Sequence, residues 1–176
     1  MVSIQYRNPD TVIEQPKLIK IEAVVCVPPY KDFTGTWRCW YVNGQKGYEI
    51  QFNRGKYDGV YAVFHDNGQQ SVEQHYVNQQ IDGPANGWYP DGKLMYRGQY
   101  RTGKQDGQWV HWYSNGKRSA EANFKNGVLD GRSAGWYENG QQRSEMHFQN
   151  CKQVGIEAAW NEAGVLLYRR EHENRK

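Results

Sequence analysis

The residues best suited to chemistry in this 176-residue chain are carboxylates that recur at a fixed interval. Glu49 and Glu73, and again Glu121 and Glu145, lie 24 residues apart. Carboxylates that share acid and base roles in hydrolysis stand about 5–10 Å apart. A period of two strands separates each pair by about 10 Å on an open surface, because neighbouring strands lie about 4.8 Å apart. We therefore expect no catalytic pair.

Histidine and cysteine give no stronger indication of an enzyme. His75 and His147 share a phase but lie three periods apart, about 29 Å in a sheet, whereas zinc ligands lie within about 2.1 Å of the ion. His65 and His111 are about two periods apart. The chain lacks GxSxG, GxxxxGK[ST] and a cysteine with a histidine at motif spacing. The sequence predicts no catalytic residue, no metal site and no cofactor.

Charge and hydropathy restrict the classes of partner. The 22 basic and 19 acidic residues are spread along the chain and leave a net charge of +3, so no basic stripe predicts nucleic-acid binding. No apolar run approaches the 18 or so residues of a membrane span. The first residues lack the order of a secretory signal. We leave the compartment open: periplasmic if a leader is removed, cytoplasmic otherwise.

The apolar composition is dominated by aromatic side chains. With 7 Trp, 13 Tyr and 5 Phe, each able to bury about 150–250 Å², we expect a folded chain with an aromatic core. Cys26, Cys39 and Cys151 form no CxxC pair. A Cys26–Cys39 disulfide and buried free thiols both remain open.

Glycine positions reveal an internal repeat of 24 residues. Two glycine columns and one aromatic column each have six members at this spacing. The columns are Gly35, Gly59, Gly83, Gly107, Gly131 and Gly155; Gly44, Gly68, Gly92, Gly116, Gly140 and Gly164; and Trp40, Phe64, Trp88, Trp112, Trp136 and Trp160. Self-similarity at a period of about 20–50 residues is typical of repeat architectures.

Each repeat has the pattern of a β-hairpin. Asn-Gly or Asp-Gly between aromatic and β-branched residues favours a two-residue type I′ turn, and we expect the Asp-Gly at the unit boundary to turn the chain again. The sequence therefore predicts an all-β fold: an elongated single-layer antiparallel sheet of six stacked 24-residue hairpins over 33–176. Residues 1–32 are predicted to form an N-terminal β cap with one strand over 19–27. The degenerate last repeat is predicted to cap the other end.

Pairing about the Asn-Gly turn assigns side chains to two faces. One face is predicted to carry Tyr41, Tyr89, Tyr113 and Tyr137, Trp37, Tyr61 and Trp109, Tyr48, Val72 and Tyr96, and the Phe/Tyr column from Phe52 to Phe148. The other is predicted to carry the Trp column with Glu49, Glu73, Arg97, Glu121, Glu145 and Arg169, and Gln51, His75, Gln99, Asn123 and His147. Pro84 and Ala85 predict a local bend in the third unit.

The pattern GxxxxWYxNG followed by ExxFxxGK resembles the MORN-type repeat in its bacterial variant, over about 34–176. The resemblance implies an elongated, twisted sheet of hairpins without catalytic residues of its own. Bacterial proteins built of this variant are similar to antitoxin or immunity partners of secreted toxins, including phospholipase-type effectors of interbacterial competition and type VI secretion. Gln79 and Cys151 depart from the pattern, since they stand where the unit usually has glycine.

The resulting expectation is an immunity or antitoxin protein that binds a cognate toxin and covers its active site. Alternating aromatic and carboxylate side chains would suit a partner with a basic or mixed surface. The candidate partner-binding residues are Trp40, Glu49, Glu73, Trp88, Arg97, Trp112, Glu121, Trp136 and Glu145. The alternatives are a membrane- or lipid-associated scaffold, less favoured because the net charge is small, and a structural oligomerisation module. The oligomeric state is left open.

Overall fold

The computed structural model describes residues 19–21, 24–26 and 29–172, with side chains from residue 29 onwards. Every regular element in this part of the chain is a β-strand. The strands are β1 (Ile19–Ile21), β2 (Val24–Cys26), β3 (Gly35–Tyr41), β4 (Lys46–Asn53), β5 (Lys56–Phe64), β6 (Gln70–Val77), β7 (Gln80–Trp88), β8 (Leu94–Arg101), β9 (Lys104–Gln105), β10 (Gly107–Trp112), β11 (Arg118–Lys125), β12 (Val128–Trp136), β13 (Gln142–Gln149), β14 (Lys152–Trp160) and β15 (Leu166–His172).

The strands form one open antiparallel sheet in chain order. Each pairs with the next along the path from β1 to β15, except that β9 pairs only with β8. At about 4.8 Å per strand the sheet extends for about 60 Å across the strands, whereas a strand of nine residues measures about 30 Å. The predicted all-β, elongated, single-layer meander is confirmed. We number the repeats from the first glycine column, so that the first begins at Gly35 and the sixth at Gly155.

The Asn-Gly hairpins use three-residue loops, so the predicted two-residue turns are wrong. In the first hairpin the Gly44 N–H donates to the Tyr41 carbonyl at 2.9 Å, and the Tyr41 N–H donates to the Gln45 carbonyl at 2.7 Å. Gly44 has a φ of 84°, which makes this a type I turn closed by a left-handed glycine. The register then shifts at Cys39/Trp40. That bulge absorbs the extra loop residue, and the predicted faces are preserved.

The Asp-Gly pairs at the unit boundaries do not turn the chain, which corrects the second turn prediction: those at Gly59, Gly83 and Gly131 lie within strands, and Asp106 lies between β9 and β10. Opposite Gly59 the register shifts between Ile50 and Phe52, and Gly59 has a φ of 109°. The chain reverses five residues earlier, at Arg54-Gly55, where both φ values are positive, at 50° and 73°. Two consecutive left-handed residues define a type I′ turn.

Gln79 and Cys151, which depart from the repeat pattern, occupy the second position of this type I′ turn. Their φ values are 70° and 62°, in the region where glycine is normally favoured. Each N–H bonds to the preceding repeat: that of Gln79 to the Tyr57 carbonyl at 2.7 Å and that of Cys151 to the Leu129 carbonyl at 2.9 Å. The two residues therefore keep the turn without glycine.

Pro84 leaves the strand register of the third repeat as it is in the second and fifth repeats, and the local bend stays a prediction. Strand β7 runs through Pro84 and Ala85, which pair with Gln99 and Gly98. At the equivalent position of the second repeat the Val60 N–H donates to the Gln51 side chain at 2.8 Å, and not to the strand ladder. A proline is tolerated there because this N–H is not needed for strand pairing.

The predicted N-terminal strand over 19–27 is two strands, β1 and β2, which pair with each other. Strand β2 also pairs with β3, through Val24 and Tyr41 and through Val25 and Trp40. Residues 1–18 of the predicted cap lie outside the described residues. Cys39 is buried and disulfide-bonded, whereas Cys151 is exposed and free. The Cys26 side chain is outside the described part.

Tyrosine hydroxyls join successive repeats. The Tyr41 hydroxyl donates to the Phe64 carbonyl at 2.6 Å, and the Tyr113 hydroxyl donates to the Trp136 carbonyl at 2.8 Å. In the second repeat His65 replaces the tyrosine, and its Nε2 lies 2.9 Å from the Trp88 carbonyl oxygen. Each bond joins residues 23 positions apart, which lie in successive repeats. Because every repeat uses this bond to reach the next one, a hydrogen-bonding side chain recurs at this position.

One face of the sheet, which we call the tyrosine face, carries two groups of aromatic rings in contact with one another. The first group consists of Tyr30, Phe33, Phe52, Tyr57, Tyr61 and Tyr76, with successive centroids 5.0–5.9 Å apart. In the second, Trp109 lies 5.0 Å from Tyr100 and 6.2 Å from Tyr96. Trp109 is only 5% exposed. It packs over Gly98, where an added Cβ would overlap its ring.

Candidate interaction surface

The opposite face, which we call the tryptophan face, is organised around one cross-strand row. Consecutive members of this central row are paired residues on neighbouring strands. They are Arg38, Glu49, Ala62, Glu73, Asn86, Arg97, Val110, Glu121, Ala134, Glu145, Ala158 and Arg169. Small or apolar residues separate most charged ones, and Ala62, Val110, Ala134 and Ala158 are buried between them.

The aromatic column lies beside the central row on the same face. Across each hairpin the aromatic residue pairs with a residue three positions before a row member: Trp40 with Lys46, Trp88 with Leu94, and Trp112 with Arg118. All four tryptophans of the predicted site are half-buried. The nine predicted partner-binding residues therefore share one face.

The glutamates of the row are bound by cations of their own chain. Glu49 accepts hydrogen bonds from the Lys46 ammonium at 2.7 Å and from the Arg38 guanidinium at 3.0 Å. These bonds lower the pKa of the Glu49 carboxyl below its ordinary value, with the bond from Lys46 as the largest cause. The Lys46 ammonium also lies 4.8 Å from the centroid of the Phe64 ring, at cation–π distance.

A second set of ion pairs joins the fourth and fifth repeats. The Arg132 Nε donates to Glu145 at 2.9 Å and its Nη1 to Glu121 at 3.2 Å. Arg118 donates to the other Glu121 oxygen at 3.0 Å, and Gln142 to Glu145 at 2.8 Å. Hydrogen bonding to Arg132, then to Gln142, lowers the pKa of the Glu145 carboxyl.

The burial of Glu121 indicates that these ion pairs stabilise the fold. Glu121 is only 6% exposed, and a carboxylate at that depth needs paired charges or hydrogen-bond donors. The Arg132 guanidinium carbon also lies 5.9 Å from the centroid of the Trp136 ring. We refer to Arg118, Glu121, Arg132, Gln142 and Glu145 as the central ion-pair cluster.

Glu73 has weaker partners than the other glutamates of the row. It accepts a hydrogen bond from Gln70 at 2.9 Å, and its second oxygen lies 3.9 Å from the His75 ring. With Glu49, Glu121 and Glu145 bound to arginine or lysine, the face offers a partner less free negative charge than the sequence indicates.

Arg97 breaks the pattern of the row in both charge and pairing. It is exposed, and no hydrogen bond or ion pair joins it to any residue within the described part of the chain. Three positions before each glutamate stands a polar residue that bonds to it, whereas three positions before Arg97 stands Leu94. Arg169, also exposed, repeats this combination with Leu166.

Arg97 lines a shallow depression of about 470 Å³ in the third repeat. Leu94 stands where other repeats have a polar residue that bonds to the glutamate of the central row. Pro84 stands where the register between β6 and β7 shifts. The lining residues are Pro84, Asn86, Trp88, Leu94, Arg97, Gly98, Gln99 and Gln108. Amide side chains from three strands thus line the depression together with one guanidinium, one indole and two apolar side chains.

Sequence reasoning named Trp88 and Arg97 as site residues and placed Gln99 on the same face, but it did not name Asn86 or Gln108. Asn86, Gln99 and Gln108 lie on three different strands, β7, β8 and β10. One sequence signal was present: leucine replaces the polar residue three positions before both arginines of the column. No comparable exchange in the sequence marks the tyrosine face, whose rings pack on one another.

The last strand forms an edge of a different character. Among the described strands, β15 pairs with β14 alone. Val165, just before it, and Leu166, Leu167 and Tyr168 are 57%, 49%, 60% and 38% exposed. Leu167 occupies the bulge position next to the register shift at Ala159/Trp160. This apolar edge lies beside Arg169 and Arg170.

The described residues contain neither a cluster suited to a metal ion nor a helix suited to a membrane span. No group of three or more His, Cys, Asp or Glu residues lies close enough to hold a metal ion within residues 29–172. No helix long and apolar enough to cross a membrane occurs in the part of the chain that the structure describes.

The comparison with protein families matches the middle of the array. The family model of the MORN repeat variant matches residues 81–102, 105–126 and 129–150. Each segment spans one hairpin with its three-residue loop, β7–β8, β10–β11 and β12–β13. No curated protein matches the chain. Three consecutive hairpins of this chain, the third to the fifth, are therefore similar to the MORN repeat variant.

Proposed function

We propose that this chain is a binding protein without an enzymatic activity of its own, and that it recognises a protein partner through the tryptophan face. The supporting observation is that this face contains two kinds of position: those whose side chains bond within the sheet, and those whose side chains do not. Repeated columns bond to one another within the sheet, whereas the third repeat departs from them at Leu94 and Arg97, and Arg97 lines a depression. This exchange, which the sixth repeat shares at Leu166 and Arg169, adds no bond that holds the array together within the described residues.

The specific function we propose is immunity: stoichiometric neutralisation of a cognate bacterial toxin by covering its active site or substrate entrance. The resemblance to bacterial MORN-repeat antitoxins motivates this proposal. A rigid sheet about 60 Å across is large enough for a standard protein interface of about 800 Å² per partner. A phospholipase-type effector remains the class of toxin that the resemblance names.

The direct test is co-expression with the product of the neighbouring gene. We expect a stable complex by size-exclusion chromatography with light scattering, and rescue of the growth defect that the toxin causes alone. Absence of a complex at micromolar concentrations, together with unrelieved toxicity, would contradict the proposal.

Two charge variants identify the face that binds. Gln99→Glu adds a negative charge on the tryptophan face, and His111→Glu adds the same charge on the tyrosine face; both positions are exposed. We expect Gln99→Glu to weaken the complex and to reduce rescue, while His111→Glu leaves both unchanged. The reverse result would assign binding to the tyrosine face.

A lipid-associated scaffold is the second candidate, because the exposed apolar edge of β15 lies beside Arg169 and Arg170. Aliphatic side chains next to basic ones are typical of interfacial anchoring, although anionic lipid usually requires clusters of four to eight Lys or Arg. Flotation with phosphatidylglycerol vesicles tests this alternative. Membrane association requires co-flotation that Leu167→Asp abolishes.

A further inference from the structure

The third repeat differs from its neighbours by two coupled exchanges on the tryptophan face. Where the second and fifth repeats have Gln70 with Glu73 and Gln142 with Glu145, the third has Leu94 with Arg97. A glutamate at this position accepts a hydrogen bond from the residue three positions earlier. Leucine cannot donate, and a guanidinium cannot accept. The exchanges therefore remove a pair and expose one cation.

We propose that Arg97 is the anchor of a carboxylate-binding subsite, which receives an aspartate or glutamate side chain of the protein partner. This inference rests on the proposed function of the tryptophan face as a protein-binding surface. It replaces the expectation of a basic partner patch, since Glu49, Glu121 and Glu145 are already bound within the chain.

The chemistry around Arg97 fits a carboxylate. A guanidinium presents a planar fork that binds a carboxylate through two parallel hydrogen bonds. The depression adds the amide groups of Asn86, Gln99 and Gln108, which can donate further hydrogen bonds. Trp88, Leu94 and Pro84 supply apolar contacts for the methylene carbons of the incoming side chain. Aromatic and arginine residues side by side are typical of interface hot spots.

Charge favours a protein carboxylate over a membrane. The depression holds one arginine, which is fewer than the four to eight basic residues that anionic lipid surfaces usually require. The other unpaired arginine of the row, Arg169, lies three repeats away, about 29 Å along the sheet. A single exposed cation in a shallow depression therefore suits one acidic side chain.

The repeat itself supplies the test variant. Leu94→Gln with Arg97→Glu gives the third repeat the combination already present at Gln70 and Glu73, so the sheet should fold as before. Leu166→Gln with Arg169→Glu makes the same exchange in the sixth repeat and serves as the matched control. Arg97→Gln, a neutral change, is the second variant if the paired exchange reduces folding.

The first probe is a short peptide, acetyl-Gly-Glu-Tyr-Glu-Gly-amide, titrated into the protein and followed by the NMR signals of the Trp88 indole N–H and the Arg97 side-chain N–H. We expect shifts that saturate, and about tenfold weaker binding after Leu94→Gln/Arg97→Glu, as loss of about 1.4 kcal/mol would give. The Leu166→Gln/Arg169→Glu variant should bind as the unmodified protein does.

Three further titrations separate the possible ligands. The glutamine peptide, acetyl-Gly-Gln-Tyr-Gln-Gly-amide, should leave the Arg97 signal unchanged, and inorganic phosphate and phosphatidylglycerol vesicles should not reproduce the shifts. Equal response to the glutamine peptide, response to phosphate or vesicles alone, or no response to the glutamate peptide would overturn the carboxylate subsite.

The toxin complex distinguishes failure of the subsite from failure of the immunity function. A toxin that binds Leu94→Gln/Arg97→Glu as tightly as the unmodified protein contradicts the anchor and leaves immunity intact. A glutamate peptide that binds at Arg97 while no toxin forms a complex contradicts immunity and supports the subsite. Loss of toxin binding in this variant, with Leu166→Gln/Arg169→Glu unaffected, supports both.

Discussion

The third and fifth repeats use the same backbone positions for opposite purposes. In the fifth, Glu145 accepts hydrogen bonds from Gln142 and Arg132, and the charged groups close over the buried Ala134. In the third, Leu94 and Arg97 leave a guanidinium exposed in a depression. Within a repeat array, residues that every unit shares hold the units together, and a unit that departs from them is available for recognition.

The two repeats also differ in what supports them from the tyrosine face. Trp109 lies behind the third repeat, over Gly98, and its indole N–H donates to the Gln99 carbonyl at 3.2 Å. Behind the fifth repeat the corresponding position, in the sixth repeat, is Glu157. The depression therefore has a rigid aromatic support, whereas the fifth repeat is held by ion pairs.

The largest expected effect comes from removing that support. Trp109→Ala should lower the free energy of unfolding by about 3–5 kcal/mol, because a buried ring is lost and its cavity cannot refill. Urea denaturation followed by circular dichroism measures the change. Trp112→Ala, in the same repeat but half-buried on the tryptophan face, is the control with a smaller expected loss. Equal losses would mean that Trp109 has no special role.

Breaking the central ion-pair cluster should have the next largest effect. Arg132→Met removes the cation that links Glu121 to Glu145, and should lower the free energy of unfolding by about 1–2 kcal/mol. This is less than the 3–5 kcal/mol of a fully buried pair, since Arg118 remains beside Glu121 and the Arg132 side chain is 35% exposed. Arg101→Met, which removes an ion pair on a 65% exposed side chain, should change little. A loss as large for Arg101→Met would contradict the prediction.

Acidification should act on the paired glutamates. Their cationic partners lower the folded-state pKa values of Glu49 and Glu145 below the unfolded value of about 4.3. These carboxylates therefore stabilise the fold above about pH 4.3, and the contribution is lost as pH falls through the lowered folded values. Urea unfolding at a series of pH values between 7 and 3 should show the decrease, with a shallower decrease for Glu145→Gln. An identical pH profile for this variant would refute the assignment.

The smallest effect on stability is expected for the variant that tests the difference between the third and fifth repeats most directly. Leu94→Gln with Arg97→Glu should change the free energy of unfolding by less than about 0.5 kcal/mol, because surface exchanges without buried partners usually do so. A loss above about 2 kcal/mol would show that Leu94 or Arg97 holds the third repeat together, as Arg132 does the fifth. Urea denaturation beside the unmodified protein gives the answer.

Much of the fold follows from glycine and aromatic spacing, but not the geometry of its turns. The spacing of Gly44 and its equivalents predicts hairpins in a meander, and the structure has them. It does not reveal that Gly44 closes a three-residue loop or that Gly59 sits in a bulge. The same Asn-Gly or Asp-Gly pair suits several left-handed positions, and strand register decides among them.

The sequence predicts which face of the sheet carries the candidate site, but it does not predict where on that face the site lies. Period-two alternation puts Trp88, Arg97 and Glu121 on one side of a sheet, and the register has them there. Which charges are bound within the chain depends on side chains from neighbouring strands, such as Arg132 between Glu121 and Glu145. Residues eleven or more positions apart meet there, and no local pattern encodes such a contact.

The sequence by itself determined the architecture, because a 24-residue period imposes the same turns and the same alternation six times over. Only the tertiary structure decided which charges remain available to a partner. Charge availability depends on contacts between neighbouring strands: Arg132 binds Glu121 and Glu145, whereas Arg97 has no ion-pair partner among the described residues and stays exposed.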